Sequence, residues 1–561
     1  MSLSVVGAES SPPSRAGAVA ATSVLLVVVL AAALSVDVVR IGFGLKGDEA
    51  TYVAMALSAA FDHDLTYERK DLERFTGLYQ SGPEGLFVKR GRSWRIRTQR
   101  ASPFVRIARP ADPRTDRLYF GKAFVYPVVA APFVRLAGLN GFLLLHALLL
   151  SGVVLCGYLF LAARARPVVA LTYTLAFVGA TVVPVYLVFL TSDIFNLATV
   201  FFAYFLWLYK EVAPRGPGRF LRTIASDCAA AALLGVATFS KPINLLLIAP
   251  LVLWFWWRRR WWAGIAVGVV FVLATAALFG VNAISSGEFN YQGGDRKTFY
   301  AHYPFEAPGV VWDGLGTTAA TDDADADNVL QPAEFANRLA LNLKYFVVGR
   351  HAGFVPYFFP GAVAIVAWLL SRERHSPWRW FVCAAFAASV VGILVLAPYT
   401  WNGGGGPPGN RYLLSLYPVV FFLMPPVGTL AVPMLAWIVG TLFTAHMVVN
   451  PFVAAKYTYL MFERGAARRL PVELTMANDL PMALSSSPIR ARIPYRNDPL
   501  MLLYFLDQNA SPPEPAGMWV TGGRRADVIV RTEDPMDHLA VSAESPIPTV
   551  LTVSVGAETV S

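Results

Sequence analysis

Six ionisable side chains stand where long apolar runs begin or end: Asp48 and Glu49 after the first run, Lys122 ahead of a short apolar stretch, Asp193 between two runs, Lys241 closing another, and Arg411 opening a late one. Charge at the edge of a hydrocarbon layer is costly and tends to persist where a function needs it. Two carboxylate positions, Asp48 with Glu49 and then Asp193, suit the removal of a proton from an acceptor hydroxyl. The cations Lys122, Arg411 and Lys241 suit a phosphate that departs in the same step. A carboxylate at a low-dielectric boundary is also expected to hold its proton more tightly than in water, which favours a base. Each residue has a plainer alternative. Asp48 and Glu49 could be the acidic start of a helix, Asp193 an N-cap, and the three cations side chains that snorkel to headgroup level.

A second group of oxygens has metal-ligand spacing. Asp323, Asp325, Asp327 and Glu334 fall at positions 1, 3, 5 and 12 of a calcium loop, with apolar Leu330 at position 8 and Asn328 at position 6 in place of glycine. Asparagine tolerates the left-handed turn needed there. A structural Ca2+ that braces the loop is one reading, and a solvated acidic loop is the other. Nearby, Arg296, Lys297 and His302 could reach over a bound substrate, although a lone loop histidine more often only hydrogen-bonds.

The elements that must position these residues belong to a membrane protein. The chain has 561 residues, 55% hydrophobic and 15% charged, with a mean hydropathy of +0.49, well away from a soluble domain. Apolar runs of about 20 residues, each able to cross roughly 30 Å of hydrocarbon, predict about eleven spans. They lie near 17–36, 139–162, 167–190, 194–209, 226–240, 243–257, 261–283, 352–371, 379–397, 412–427 and 429–448. The net charge of +10 needs no nucleic acid. Arg164 with Arg166, Lys210 to Arg222, Arg258 to Arg260, and Arg372 to Arg379 occupy alternate loops, as the positive-inside rule asks of cytoplasmic loops. Cys156, Cys228 and Cys383 sit inside apolar runs without disulfide or zinc spacing.

This topology puts the tail 1–16 in the cytoplasm, the membrane domain at 17–449, and the loops 37–138 and 285–350 outside a plasma (inner) membrane. Within the first loop, Tyr52, Met55, Ala56, Ala59 and Ala60 predict an interfacial helix after Glu49. Lys122 to Leu136, interrupted by Pro127 and Pro132, predicts a second. Leu86–Arg90 and Ser93–Arg97 flank Gly91 and predict a hairpin with its arginines near anionic headgroups. After an irregular external stretch, 450–517, short runs at Met518–Val520, Asp527–Val530, His538–Val541 and Val550–Val555 predict a small β-rich external domain, 518–561. It reads as part of a sandwich, and a continuation beyond Ser561 is expected.

Four strings in register carry a family resemblance: Gly47-Asp48-Glu49-Ala50-Thr51-Tyr52, Tyr119-Phe120-Gly121-Lys122-Ala123-Phe124-Val125-Tyr126-Pro127, Phe239-Ser240-Lys241-Pro242-Ile243-Asn244-Leu245 and Gly409-Asn410-Arg411-Tyr412-Leu413-Leu414. In order and topology, over about 17–448, the chain resembles the GT-C glycosyltransferases, above all the families around protein O-mannosyltransferases and the lipid A aminoarabinose transferase. The resemblance implies a polyprenyl-phosphate sugar donor and an acidic residue in the first outer loop that binds or deprotonates the acceptor. By position Asp48 takes that role with Glu49 beside it, Asp193 matches the acidic residue of the second outer loop, and Lys122, Arg411 and Lys241 match cations that hold the lipid phosphate. Gly121 and Ala123 depart from the acidic residue and proline that relatives often carry there.

The expectation is therefore an all-α, GT-C-like polytopic membrane protein with outer-face interfacial helices and a small β-rich domain. It is expected to transfer a sugar from a lipid-linked donor to a hydroxyl of a glycan, lipid or protein acceptor, contacting membrane lipids but no nucleic acid. A transporter or flippase of lipid-linked glycans is the rival. Transporters concentrate charge near the bilayer midplane and often repeat internally, whereas the charges here lie at span ends.

Overall fold

The computed structural model describes residues 15–40, 45, 47–80, 82–93, 95–98, 100, 102, 105–108, 114–213, 218–292, 294–300, 302–318, 332–397, 401–403, 406–456, 461, 465–471, 473, 493–494, 501–505, 509, 519–532, 541–555 and 558–560. Its helices follow the apolar runs. In chain order they are α1 (Arg15–Ser35), α2 (Asp48–Phe61), α3 (Arg69–Leu78), α4 (Val125–Ala137), α5 (Asn140–Ala162), α6 (Pro167–Gly179), α7 (Val183–Leu187), α8 (Asp193–Val212), α9 (Ile224–Ser240), α10 (Ala249–Trp257) and α11 (Trp261–Ser286). Helices Pro332–Val348, Phe359–Leu370, Pro377–Leu396, Arg411–Phe421 and Ala431–Val449 come later.

Among the described residues, four helices are long and apolar enough to cross a membrane: α5, α11, Pro377–Leu396 and Ala431–Val449. On α11, Trp262 is 83% and Ile284 88% exposed, a face that water penalises and lipid tails accept. The chain is a helical membrane protein. Helices α1 and α8 run unbroken for 21 and 20 residues, while several other expected spans are shorter or broken. The run 167–190 divides into α6 and α7, with Pro184 in the first turn of α7. The run 243–257 opens as a 3-10 turn, Pro242–Ile248, before α10. The run 352–371 divides at Phe358, ahead of Pro360. Proline removes a backbone donor, so it starts or interrupts a helix more readily than it continues one.

The basic loops gather at one end of the bundle. Arg164 Nη2 lies 2.5 Å from Glu373 Oε1, and Arg258 Nη1 lies 3.3 Å from Glu211 Oε1. The Trp257 and Phe381 rings, 6.0 Å apart, join these two pairs. The loops after α5, α8, α10 and Phe359–Leu370 are thereby neighbours, as an alternate-loop pattern requires.

At the other end, β1 (Thr66–Tyr67), β2 (Leu86–Arg92), β5 (Arg114–Phe120), β6 (Arg296–Phe299) and β7 (Thr317–Thr318) form an antiparallel sheet in the order β1-β5-β2-β6-β7. Leu86, Val88, Leu118, Phe120 and Phe299 bury its inner side, following the two-residue period of a strand. This sheet stitches the loop 37–138 to the loop 285–350. It also corrects the hairpin expected about Gly91: β2 runs on to Arg92 through an irregularity between Arg90 and Arg92, and β3 (Arg95–Thr98) pairs with β4 (Val105–Ala108) instead. Helix α2 is a second correction. It is buried from Glu49 through Ser58 and packs inside the protein instead of lying amphipathically on a membrane, whereas α4 keeps Val128, Val129 and Leu136 exposed.

In the tail, Ile493–Pro494, Met501–Phe505 and Val528–Thr532 make a three-stranded antiparallel sheet, and Val553–Val555 pairs with Glu558–Val560. These strands do not form a sandwich among the described residues. Asp323, Asp325 and Asp327 lie outside the described residues, as does the Glu334 side chain.

Candidate active site

Each site residue is set by a short piece of local structure. Gly47, at a positive φ of 56°, turns the chain into α2 and donates its N–H to Glu84 O at 2.6 Å, which leaves Asp48 in the first turn. Lys122 follows β5 through Gly121, whose N–H donates to Phe87 O at 2.9 Å. A Cβ on Gly121 would stand 2.9 Å from Arg296 Cδ, so the glycine is there to admit the arginine. Asn410 starts the helix that carries Arg411, its Oδ1 accepting the N–H groups of Tyr412 at 2.9 Å and Leu413 at 3.0 Å.

The charges interlock. Lys122 Nζ is 2.6 Å from Asp48 Oδ1, and Arg411 Nη2 donates to Asp48 Oδ2 at 2.9 Å. The same guanidinium donates through Nε to Asp193 Oδ2 at 3.1 Å. Lys241 pairs with the other Asp193 oxygen and donates to the Arg411 carbonyl at 3.2 Å. Thr191 Oγ1 donates to Asp193 at 2.6 Å. Asp193 is fully buried, so its carboxylate needs these partners; it serves as a salt-bridge hub, and no capping bond is made at the start of α8.

Aromatic faces support the cations. Lys122 Nζ lies 4.4 Å and Arg296 Cζ 5.1 Å from the centre of the Phe87 ring. Arg296 Nη1 is buried without a hydrogen-bond partner among the described residues. Burial opposes the charge on Asp48, but Lys122 and Arg411 outweigh it and hold the carboxyl below the ordinary carboxylate range. The raised proton affinity expected at a low-dielectric boundary is therefore reversed, because two cations touch the same carboxylate. Burial likewise draws Lys122 below the ordinary lysine range, with Asp48 opposing the shift in part.

Of the expected site residues, Asp48, Lys122, Asp193, Lys241 and Arg411 form one network, and Arg296 borders it. Glu49 faces other partners: its Oε1 accepts the Leu190 N–H at 2.9 Å, and its Oε2 pairs with Lys456. Lys297 is used elsewhere, donating to the carbonyls of Trp312 at 3.0 Å and Leu315 at 2.9 Å. His302 is largely exposed and lies 3.0 Å from Glu306, away from the network. Sequence reasoning missed Lys456, which pairs with Glu49. Its signal was a lone cation just after the last long apolar run, on the same side as Glu49.

No family model matches this sequence, and a search of curated proteins finds no match. A search of solved structures finds a likeness to ArnT from Cupriavidus metallidurans bound to undecaprenyl phosphate, at 16% identity and a TM-score of 0.36 over 73% of this chain and 60% of that one. This chain thus matches less than two thirds of that protein's length.

Proposed function

We propose that the chain is a glycosyltransferase that moves a sugar from a polyprenyl-phosphate donor to an acceptor hydroxyl at the outer face of an inner membrane, with its N-terminus in the cytoplasm. The observation that carries this reading is Asp48 held between Lys122 and Arg411, with Arg296 Nη1, which has no hydrogen-bond partner among the described residues, bordering the same network. A phosphate arriving there finds three cations, of which two already hold a carboxylate it can replace.

That replacement supplies the base. With Lys122 and Arg411 resting on it, Asp48 is too weak an acceptor of protons. Once the donor phosphate takes their N–H groups, the effect of burial on Asp48 is no longer opposed, and its proton affinity rises. The acceptor oxygen then bonds to the anomeric carbon as that carbon's bond to the phosphate oxygen breaks. The electron pair leaves on the lipid phosphate, and the acceptor proton passes to Asp48. A single displacement of this kind inverts the anomeric centre. Asp193 and Lys241 hold Arg411 in place, and the acceptor is a glycan, lipid or protein hydroxyl.

The transporter reading is less well supported. The paired charges Asp48, Asp193, Lys241 and Arg411 stand at helix starts and ends, whereas transporters place theirs near the bilayer midplane.

Undecaprenyl phosphate binding to the detergent-purified protein tests the reading. Lys122→Met should weaken it by about tenfold or more, since this charge contacts ground state and transition state alike. Absence of binding by the unaltered protein overturns the reading. Calcium at Asp323, Asp325, Asp327 and Glu334 stays a separate proposal: added Ca2+ should raise the melting temperature, and Asp325→Ala should remove the increment.

A further inference from the structure

Residues 451–473 follow the last long helix and take no part in the chemistry above, yet their described portions grip the site at two points. We propose that Lys456 and Glu473 together form a positioning strap that fixes Asp48 and Arg411, an inference that rests on the phosphate-binding reading of the site.

The first grip is Lys456, at the end of helix Pro451–Lys456. It pairs with Glu49, the residue after Asp48, while Glu49 also accepts the Leu190 N–H at 2.9 Å. Lys456 and Arg411 lie over the same Phe189 ring, 5.8 Å and 5.1 Å from its centre. The start of α2, and Asp48 with it, is thereby held against the segment that leads to Asp193.

The second grip is Glu473, fully buried. Its Oε1 accepts the backbone N–H of His351 at 2.9 Å and of Ala352 at 3.0 Å, and its Oε2 accepts from His351 Nδ1. A Cβ on Gly349 would collide with both Glu473 Oε1 and the Tyr345 carbonyl, so the carboxylate packs directly against the loop backbone. The stretch just before it is fastened as well: Arg350 donates through its backbone N–H to Pro471 O at 2.8 Å, through Nε to Leu470 O at 3.1 Å, and through Nη2 to Arg468 O at 2.6 Å.

From His351 the connection continues to the site. Its carbonyl accepts the Gly409 N–H at 2.6 Å. Gly409 has a φ of +83°, and a Cβ there would stand 2.9 Å from Val182 Cγ2, so the turn fits closely. The next residue, Asn410, caps the helix that begins with Arg411. Displacing Glu473 frees the 349–353 loop, then Gly409, then the guanidinium that bridges Asp48 and Asp193.

The test uses the full-length protein in detergent and two readouts, hydrogen exchange of the peptide spanning 403–413 and binding of undecaprenyl phosphate. Glu473→Gln should speed exchange at the Gly409 amide about tenfold or more, with α5 and α11 unchanged. It should weaken lipid binding by about fivefold or more through a misplaced Arg411, and Glu473→Asp should recover part of both. Gly349→Ala, whose Cβ would meet the Tyr345 carbonyl as well as Glu473 Oε1, should displace the same loop and reproduce the phenotype if Glu473→Gln does not fold. Unaltered exchange at 403–413 in Glu473→Gln and Gly349→Ala overturns the strap. If the unaltered protein fails to bind undecaprenyl phosphate, the phosphate reading fails instead, and exchange alone judges the strap.

Discussion

Asp48 and Arg411 stand 363 positions apart in the chain and meet at 2.9 Å. The contact joins the first turn of α2 to the first turn of a late helix, and Arg411 continues to Asp193 at 3.1 Å. Three separate helix starts are thus held by one guanidinium, whose planar fork can serve two carboxylates at once.

Arg411 and Lys122 should consequently fail in different ways. Arg411→Met leaves fully buried Asp193 with one cation fewer, and breaking a buried pair from one side costs about 3–5 kcal/mol. Asp48 keeps 21% exposure, so Lys122→Met should cost less stability while still impairing phosphate binding. Thermal unfolding of the two purified variants checks this ordering. Equal melting temperatures would mean that Arg411 does not bridge the carboxylates.

Lys89 gives a pH dependence. It is buried on β2 with Nζ 3.5 Å from Asn290 O, and burial pushes its ammonium down to about 8 from 10.5, against a partial pull from Glu288. The depressed group is a base, so the unfolded chain binds the proton more tightly than the folded one. The penalty is fully present below pH 8 and is relieved as pH rises from 8 towards 10.5, where stability should climb. Subtracting the stability profile of Lys89→Met from that of the unaltered protein should isolate the rise; a flat difference across that window would show the lysine to be solvated.

Orientation can be read by labelling. With Cys156, Cys228 and Cys383 replaced by serine, Glu73→Cys should react with an impermeant thiol reagent in intact cells, and Arg374→Cys only after permeabilisation. The reverse pattern would put the site in the cytoplasm, where a nucleotide sugar could reach it and a lipid-linked donor would lose its rationale.

Much of the site was legible in the sequence because cost and position coincide there. Asp48, Lys122, Asp193, Lys241 and Arg411 are conspicuous as charges at the ends of apolar runs, and the structure joins them in one network. Direction of titration was not legible, since a lone carboxylate at a boundary and one touched by two cations shift oppositely. The sheet was hidden for another reason. β2 finds its partners in β5 and β6, and β6 comes from a loop about two hundred positions later, a pairing that local turn chemistry cannot announce. Helix continuity was misread where Pro184 and Pro360 divide hydropathy runs that a composition window averages into single spans.

The most direct measurement of the central claim is mass spectrometry of polyprenyl-phosphate sugars in cells that lack this chain, complemented with either the unaltered protein or Asp48→Asn. The substituted amide keeps the shape of the side chain but cannot take the acceptor's proton, so turnover should fall about 100-fold or more. The account predicts that one lipid-linked sugar accumulates without the protein, clears when the unaltered protein is restored, and stays when Asp48→Asn is supplied. Clearance by Asp48→Asn at the unaltered rate, or no lipid-linked sugar accumulating at all, would contradict it.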